Sequence, residues 1–566
     1  MKLFKNIKKW LENQEHLFYL FLFILIVPNI VLCFTEPLSF IAKVCNVLLP
    51  FGCYYLLMTL SRNCGKMLWI LFLFLFFGAF QIVLLYLFGQ SIIAVDMFLN
   101  LVTTNSSEAM ELLGNLTPAI VVVVILYIPA LVLATISIVR KRMLSAAFIR
   151  RERKRAFVVG VSLLSLAGAY VQDPGYELKS DLYPLNVCYN VGLAFQRTAL
   201  TQNYHHTSKD FTFHAQATHP EEKKEVYVMV VGETSRALNW QLYGYERETN
   251  PLLVQQSGLV AFPKVLTESN TTHKSVPMLL SDVTACSYDS IYHRKGIITA
   301  FKEAGFRTAF FSNQRFNHSF IDFFGREADT FDFIKEDSLD FSYNPSDNEL
   351  LKLVEQELAK GAKKQFIVLH TYGSHFNYRE RYPSGDAFFT PDYPVEAERK
   401  FRDNLVNAYD NSVRYTDSLL ARLIGMLENQ GTDAALIYTS DHGEDIFDDP
   451  RHLFLHASPV PSYYQLHIPF LIWMSDSYRE AYPEHWEAVT ANKEKNISSS
   501  SSFFPTMLDL GGIKTPYRDD SQSVATPLYK MRPRVYLNDH NEPRPLDDLG
   551  MKKQDFHMLE KQEINT

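Results

Sequence analysis

Five long apolar stretches in the first 172 residues constrain the fold of this chain more than any other feature. They lie at 17–34, 40–60, 67–88, 118–139 and 156–171. Each is nearly uncharged and has roughly the 17–25 residues that a helix needs to cross a bilayer core. The first is too long for the apolar region of a cleaved signal peptide and is followed by further spans. We therefore expect residues 1–172 to form a membrane domain with five transmembrane helices.

Lysine and arginine are distributed unevenly around these stretches. They cluster before the first stretch and at 140–155, whereas the loop 89–117 is free of them. Because basic loops remain in the cytoplasm, the N-terminus is predicted to be cytoplasmic and everything after residue 172 to lie outside. An odd number of spans agrees with that arrangement.

The two parts of the chain differ in net charge. Residues 1–172 carry 15 Lys and Arg against 7 Asp and Glu, and the rest carries 40 against 55. The outer part is therefore acidic, and it lacks a basic stripe with interleaved aromatic residues, so we expect no nucleic-acid partner. It contains only Cys188 and Cys286, and whether these two pair is open.

The region after the last stretch changes character twice. Residues 173–219 are rich in tyrosine and predict a connector along the membrane surface, and residues 220–566 alternate strand and helix patterns. Strands are predicted at 226–231, 307–312, 366–370, 435–440 and 469–474, and amphipathic helices at 347–360 and 404–429. This alternation predicts an α/β sandwich with a mostly parallel central sheet. The serine run 498–502 predicts a flexible loop.

Two of the predicted strands end in acids and a histidine. Glu233 follows one strand, and Asp441 with His442 follows another. Because the carboxyl ends of parallel strands meet at one sheet edge, we expect these side chains to lie together. Taken singly, each has a structural explanation such as a helix cap. Together they predict a metal site that lacks only a fourth ligand, with zinc suiting two carboxylates and an imidazole.

The polar loop 268–277 offers a hydroxyl as that fourth ligand and as the nucleophile. It contains Thr271 and Thr272, and Pro277 suits a first helical turn. A helix end contributes only about 0.3–1 kcal/mol, whereas zinc lowers the pKa of bound water from ~15.7 toward ~7. Since an unactivated threonine is inert at neutral pH, we expect the metal to activate it.

Several further motifs occur in one order along the chain. They are Val-Val-Gly-Glu-Thr-Ser-Arg at 230–236, Tyr-Gly-Tyr-Glu-Arg-Glu-Thr-Asn-Pro at 243–251, Thr-Thr-x-x-Ser-Val-Pro at 271–277, Leu-His-x-x-Gly-Ser-His at 369–375, Asn-Ala-Tyr-Asp-Asn-Ser at 407–412, Ser-Asp-His-Gly-Glu at 440–444 and Phe-Leu-His at 454–456. Together they resemble the phosphoethanolamine transferases of bacterial outer-membrane lipopolysaccharide, which include the mobile colistin-resistance enzymes. The resemblance covers nearly the whole chain and implies an alkaline phosphatase/sulfatase-like catalytic domain.

The resemblance also implies a role for individual residues. The implied metal ligands are Glu233, Thr272, Asp441 and His442. Thr272 is the implied nucleophile because it lies five residues before Pro277, as in the family. His375 and His456 correspond to the histidines that hold the transferred phosphate or a second zinc, so one zinc ion or two are implied.

Substrate contacts follow from the resemblance as well. Those implied are Asn100, Thr104 and Glu108 for the ethanolamine-phosphate pocket, together with Asn313 and Gln314. Better-known lipid A enzymes have a double asparagine followed by serine and lysine where this chain has Asn-Gln-Arg-Phe-Asn-His at 313–318, so Arg315 or His318 replaces that lysine, or nothing does. Asn313-Gln314 is closer to the branch that modifies core sugars. The cysteines that bracket the nucleophile loop in many relatives are here Glu268 and Met278.

The implied reaction is transfer of phosphoethanolamine from phosphatidylethanolamine to lipid A or the lipopolysaccharide core through a phospho-threonine. The resemblance places the enzyme in the bacterial inner membrane with its catalytic domain in the periplasm, and polymyxin resistance is the implied outcome. We expect a monomer. A sulfatase-superfamily phosphodiesterase or glycerol-phosphate transferase is the alternative, but it leaves the segment 100–108 unexplained. An inactive sensor would be expected to lack some of the ligands.

Overall fold

The computed structural model describes residues 9–36, 38–88, 92–103, 116–155, 157–173, 176–337 and 343–565. The chain divides into two compact units. One comprises Met1–Phe98 and Leu112–Phe195, and the other comprises Leu99–Glu111 and Gln196–Thr566. Cys188 and Cys286 are both free thiols.

Apolar helices make up most of the N-terminal unit. Those long and apolar enough to cross a membrane, among the described residues, are Gln14–Thr35, Phe40–Met58, Thr117–Val139 and Ala146–Gln172. A fifth candidate is the pair Cys64–Ile70 and Phe72–Leu87, which is bent by 63°. All five predicted stretches fall on these helices, which by length and composition give four candidate spans, or five if the bent pair crosses as one. The break lies at Leu71 (φ −88°, ψ 12°), inside a uniformly apolar stretch that shows no proline to mark it.

A buried asparagine, Asn29, links the helix Gln14–Thr35 to the helix Phe40–Met58 and to the turn at Tyr183. The side-chain amide of Asn29 donates to the carbonyl oxygens of Asn46 at 2.8 Å and Tyr183 at 2.7 Å. Such polar contacts between helices replace the hydrophobic driving force that apolar surroundings do not supply. Shorter described helices lie at Val95–Thr103, Leu178–Asp181 and Leu185–Gln202.

A seven-stranded sheet organises the C-terminal unit. Its strands are β1 (Glu225–Gly232), β2 (Leu259–Ala261), β3 (Arg307–Ser312), β4 (Thr330–Phe333), β5 (Lys364–His370), β6 (Asp433–Ser440) and β7 (Phe470–Met474). The strand order is β2-β7-β6-β1-β5-β3-β4. From β4 to β6 all neighbours are parallel, and β7 runs antiparallel to both of its neighbours. The sheet is mostly parallel, as predicted, and all five predicted strands are confirmed.

Both faces of this sheet are buried. The side chains of β1 show this, since they alternate between two hydrophobic cores, one on each face. Tyr227 and Met229 belong to one core, and Val228 and Val230 belong to the other. The alternation follows from the two-residue period of a strand, and burial on both faces requires an apolar residue at nearly every position. This is why the strand is a continuous apolar run in the sequence.

Helices cover the two faces and complete the α/β sandwich. The described α-helices of this unit are Tyr204–Thr207, Thr272–Leu279, Ile297–Glu303, Phe320–Gly325, Glu349–Leu358, Arg402–Glu428, Tyr463–Leu466, Asp476–Ala481, Pro483–Ala491, Ser499–Leu510 and Lys553–Lys561. Two of them confirm the helices predicted at 347–360 and 404–429. Two-stranded sheets pair Gln216–Ala217 with Ile513–Lys514, Val265–Leu266 with Ile497–Ser498, Asp445–Ile446 with Phe454–Leu455, and Val535–Leu537 with Pro543–Pro545.

The prediction of a flexible loop at 498–502 is wrong. Ser498 ends a short strand, and the helix Ser499–Leu510 begins at the next residue. The buried carboxylate of Glu268 caps this helix, because its Oε1 accepts a hydrogen bond from the backbone N–H of Ser501 at 3.1 Å. A distant acid thus satisfies a helix terminus that local composition does not reveal.

Candidate active site

The ends of β1 and β6 bring the predicted metal ligands together. Gly232 pairs with Ser440 in the register of the two strands, so the residues that follow emerge side by side. Glu233, Asp441 and His442 are all buried, and their ligand atoms lie within 4.8 Å of one another. His442 Nε2 is 3.2 Å from Asp441 Oδ2 and 3.4 Å from Glu233 Oε1.

The hydroxyl of Thr272 faces the same cluster. Thr272 Oγ1 lies 3.2 Å from Glu233 Oε1 and 3.1 Å from His442 Nε2. The neighbouring Thr271 is the N-cap of the helix Thr272–Leu279. Of the two threonines in this loop, Thr272 is the one whose hydroxyl hydrogen-bonds with the ligand cluster.

The helix that carries Thr272 begins earlier than the sequence predicted. Pro277 was expected in a first turn, but it lies in the last turn of this helix. The hydroxyl of Ser275 donates to the carbonyl oxygen of Thr271 at 2.9 Å and lies 3.3 Å from Asp441 Oδ2. Because the site satisfies these polar groups, a segment that has the composition of a loop is helical and buried.

The charges of this cluster are unbalanced without a cation. Burial and the neighbouring Asp441 raise the pKa of Glu233 to about 8, and burial raises the pKa of Asp441 to about 7. Burial lowers the pKa of His442 to about 4, so its imidazole is neutral. A divalent cation would remove the repulsion between the carboxylates, and two carboxylates, an imidazole and a hydroxyl form a suitable donor set. The residues present therefore fit a metal ion.

Neighbouring donors orient the two carboxylates. Asp441 Oδ1 accepts hydrogen bonds from the backbone N–H groups of Thr234 at 3.1 Å and His442 at 2.7 Å. Glu233 Oε2 accepts one from the side-chain amide of Gln314 at 3.1 Å. Such outer contacts fix the ligand atoms of metal sites in proteins.

The predicted histidines His375 and His456 border this cluster. The His456 ring centroid lies 4.2 Å from that of His442 and 5.8 Å from that of His375. His375 stacks on Tyr372, with centroids 5.1 Å apart, and its Nδ1 is 2.7 Å from the carbonyl oxygen of Phe376. Burial lowers the pKa of His456 to about 4. Burial and the neighbouring His456 lower the pKa of His375 well below its usual range, so both imidazoles are neutral.

Glu444 is a site residue to which the sequence reasoning assigned no role. Its Oε1 accepts a hydrogen bond from the Tyr378 hydroxyl at 2.7 Å, and its Oε2 is 3.6 Å from His456 Nδ1. The residue before it, Gly443, packs against the backbone of Tyr464, because a Cβ at position 443 would lie 2.2 Å from the Tyr464 carbonyl oxygen. The available signal was its place in the motif Ser-Asp-His-Gly-Glu.

Comparison with known proteins identifies the family. The family described as Sulfatase matches residues 225–513, just over half of the chain. The chain belongs to the sulfatase family.

Curated relatives carry more specific names. Phosphoethanolamine transferase EptA of Escherichia coli K12 is 29% identical over 312 residues, which cover 54% of this chain and 56% of that protein. Phosphoethanolamine transferase EptC of the same strain is 27% identical over 331 residues, which cover 56% of each. The chain spans about half the length of the curated relatives it matches.

Solved structures resemble this sulfatase-family fold. The C-terminal periplasmic domain of E. coli EptC in complex with Zn is 25% identical, with a TM-score of 0.55 over 60% of this chain and 97% of that domain. The soluble domain of lipooligosaccharide phosphoethanolamine transferase A from Neisseria meningitidis is 29% identical. Its TM-score is 0.51 over 55% of this chain and 95% of that domain. The integral membrane protein EptA from the same organism is 22% identical, with a TM-score of 0.69 over 90% of this chain and 97% of that protein, and shows a shared fold over that part of the chain.

The predicted substrate residues occupy different places in this sulfatase-family fold. The side-chain amide of Gln314 donates to Glu233 Oε2. The side-chain amide of Asn313 instead donates to Asp347 Oδ1 at 2.8 Å and to the Pro345 carbonyl oxygen at 2.9 Å. Asn100 lies in the helix Val95–Thr103. Thr104 and Glu108 lie outside the described residues.

Proposed function

We propose that this chain is a zinc-dependent phosphoethanolamine transferase that acts on lipid A or the lipopolysaccharide core. The observation that carries the proposal is the Thr272 hydroxyl, 3.2 Å from Glu233 and 3.1 Å from His442 within a set of metal-ligand residues. The names of the relatives support the chemistry, and the EptC domain in complex with Zn supports the metal.

The proposed zinc ligands are Glu233, Thr272, Asp441 and His442. When bound, zinc balances the carboxylates and lowers the pKa of an oxygen ligand by several units. His375 and His456 hold the transferred phosphoryl group or a second zinc. The neutral form of these imidazoles suits a second zinc, and their protonated form suits the phosphoryl group.

The proposed reaction has two half-reactions that share one phosphorus atom. The deprotonated Oγ of Thr272 attacks the phosphorus of phosphatidylethanolamine, the bond to the diacylglycerol oxygen breaks, and diacylglycerol leaves after taking a proton. Phosphoethanolamine remains esterified to Thr272. An oxygen of the acceptor then attacks the same phosphorus and loses its proton, which returns Thr272 to its hydroxyl form. Once protonated beside the anionic phosphoryl group, His375 and His456 donate hydrogen bonds from Nε2 to its oxygens in both steps.

The donor lipid and the membrane complete the proposal. Asn100, Thr104 and Glu108 are proposed to line the donor pocket, with the Glu108 carboxylate pairing with the ammonium group of the donor. Glu108→Ala should therefore impair turnover of phosphatidylethanolamine more than that of a small chromogenic phosphodiester. Unchanged lipid turnover would contradict this role of the segment.

The catalytic unit is proposed to lie in the periplasm, with the chain anchored in the inner membrane as a monomer. The basic-residue asymmetry of the first 172 residues supports this orientation. An enzyme reporter fused after residue 172 should be active only outside the cytoplasm. Reporter activity in the cytoplasm would mean that the first 172 residues cross the membrane one time fewer than proposed. The catalytic unit would then lie in the cytoplasm.

Mass spectrometry of lipid A and core oligosaccharide tests the proposed function. Cells that express the protein should gain phosphoethanolamine on one of the two, and cells that express Thr272→Ala should not. The position of the added group identifies the acceptor. Absence of the modification from both fractions, with the protein present in the membrane, would contradict the proposal.

A sulfatase-superfamily phosphodiesterase or glycerol-phosphate transferase is the second candidate, because the family match by itself fits it equally well. Purified protein distinguishes the candidates. A hydrolase releases free phosphoethanolamine into water at the same rate with and without glycolipid, whereas the proposed transferase moves the group to the glycolipid. A glycerol-phosphate transferase would prefer phosphatidylglycerol as its donor.

A further inference from the structure

Two buried polar atoms near the site face each other without a hydrogen bond. Glu444 Oε2 and His456 Nδ1 have no hydrogen-bond partner among the described residues, and they lie 3.6 Å apart. Buried polar groups in native proteins are nearly always paired. The simplest partner for each of these atoms is the other, after a movement of a few tenths of an ångström.

The backbone sets this juxtaposition. The strands Asp445–Ile446 and Phe454–Leu455 form an antiparallel ribbon in which Leu455 is opposite Asp445. Glu444 and His456 are the next residues outward on the two strands. Residues opposite each other on an antiparallel pair have neighbouring side chains. The ribbon therefore places the Glu444 carboxylate next to the His456 imidazole.

The carboxylate is the fixed member of this pair. The buried Tyr378 hydroxyl donates to its other oxygen, Oε1, at 2.7 Å. Arg236 Nη1 donates to the main-chain carbonyl oxygen of Glu444 at 3.0 Å. Because hydrogen bonds hold both its side chain and its backbone, Glu444 keeps its position and can fix the orientation of the His456 ring.

The ring orientation has a chemical consequence. The two nitrogens of an imidazole point to different sides of the ring, and the hydrogen bond made by one sets the tautomer and direction of the other. With Nδ1 toward Glu444, Nε2 is the nitrogen left to act elsewhere. The His456 ring lies 4.2 Å from the ring of His442 and 5.8 Å from that of His375, measured between centroids.

We propose that Glu444 is a positioning residue that holds the His456 ring with Nε2 directed at the transferred phosphoryl group. The inference rests on the proposed function, in which His456 contacts that group. Glu444 itself contacts no substrate in this scheme.

The test uses the full-length protein in detergent and the variants Glu444→Gln, His456→Ala and the double variant. A glutamine keeps the size of the side chain and the Tyr378 contact, but its amide can donate to Nδ1 and so favours the other tautomer. We expect Glu444→Gln to lower kcat for phosphatidylethanolamine by about 10–100-fold, with KM changed less than about twofold. The double variant should be no slower than His456→Ala alone.

Asp445→Asn is the matched control. Asp445 is the neighbouring buried acid on the same ribbon, but its carboxylate accepts from Ser462 at 2.8 Å and Gln465 at 2.6 Å instead of facing His456. This variant should keep kcat per folded molecule. An equal loss of kcat in Asp445→Asn would show that the ribbon, and not Glu444, is what matters, and would overturn the inference.

Three other results would overturn it. The first is a loss of kcat in the double variant equal to the product of the losses in the two single variants. The others are a change in KM alone, or loss of bound zinc from Glu444→Gln. Measuring the same kcat ratios on a p-nitrophenyl phosphodiester separates this inference from the proposed function. If the wild type transfers nothing to a glycolipid, the proposed function fails, while the coupling of Glu444 to His456 is still read on the small ester.

Discussion

The two ends of strand β1 carry buried glutamates in opposite electrostatic states. At the start of the strand, Glu225 Oε1 is 2.7 Å from His219 Nδ1 and its Oε2 is 3.2 Å from Lys364 Nζ. Burial alone would raise the pKa of Glu225, but these two partners lower it below its ordinary value. At the end of the strand, burial and Asp441 raise the pKa of Glu233 to about 8.

This difference separates a structural acid from a functional one. Glu225 carries its counter-charge within the chain. Glu233 faces a second carboxylate, and among the described ion pairs it has no lysine or arginine. Because a buried charge needs compensation, the second arrangement calls for a cation from outside the chain. The four predictions below test the contrast, from the largest expected effect to the smallest.

Removing the nucleophile should have the largest effect. Thr272→Ala is expected to lower phosphoethanolamine transfer by about 10³-fold or more, while bound zinc is largely retained because three protein ligands remain. Transfer is measured with phosphatidylethanolamine and purified glycolipid, and metal by elemental analysis. Near-normal transfer would refute the nucleophile assignment, and Thr271 would be tested next.

Removing the metal should also stop transfer, but reversibly. A strong chelator is expected to reduce activity to background and to lower the thermal unfolding midpoint, because a ligand that binds only the folded state stabilises it. Added zinc should restore both. Glu233→Gln is the control, since a protein that already binds zinc poorly should show little change in its midpoint. Chelator-resistant activity would show that the cluster needs no exchangeable cation.

The matched pair Glu225→Gln and Glu233→Gln should separate stability from activity. Loss of hydrogen bonds to a charged group should make Glu225→Gln less stable by about 1.5–3 kcal/mol, with turnover per folded molecule unchanged. In the presence of chelator, Glu233→Gln should be as stable as the wild type or more so, because the substitution removes the repulsion from Asp441. Thermal unfolding in detergent measures both. Equal destabilisation by the two substitutions would contradict the proposed difference between Glu225 and Glu233.

Acid pH should narrow the difference between the wild type and Glu225→Gln. The folded-state pKa of Glu225 is lowered from its ordinary value of 4.5. Its stabilising contribution is therefore present above pH 4.5 and is lost as the pH falls through the lowered folded-state pKa. The gap in unfolding midpoint should be widest near pH 7 and should shrink below pH 4.5. A constant gap at all pH values would mean that packing, and not charge, is what the glutamine disturbs.

Local pattern was enough to predict the strands and the ligands at their ends. The apolar runs of β1 and β6 are continuous because both faces of the sheet are buried, and Glu233, Asp441 and His442 directly follow these runs. The same reasoning could not place the break at Leu71, because nothing in that apolar stretch differs locally from its surroundings. It also failed for the serine run 498–502, whose helix is capped by Glu268 from another part of the chain.

The sequence by itself determined which segments are apolar helices or buried strands and which polar side chains stand at the strand ends, because hydrophobic periodicity is a property of each segment. Only the tertiary structure decided the partners of the buried acids. Glu225 meets Lys364 because these two residues are opposite each other in the register of β1 and β5, and Glu444 approaches His456 because a two-stranded ribbon ends beside them. Register depends on how distant segments pair, so the state of each acid is set by contacts that no local pattern contains.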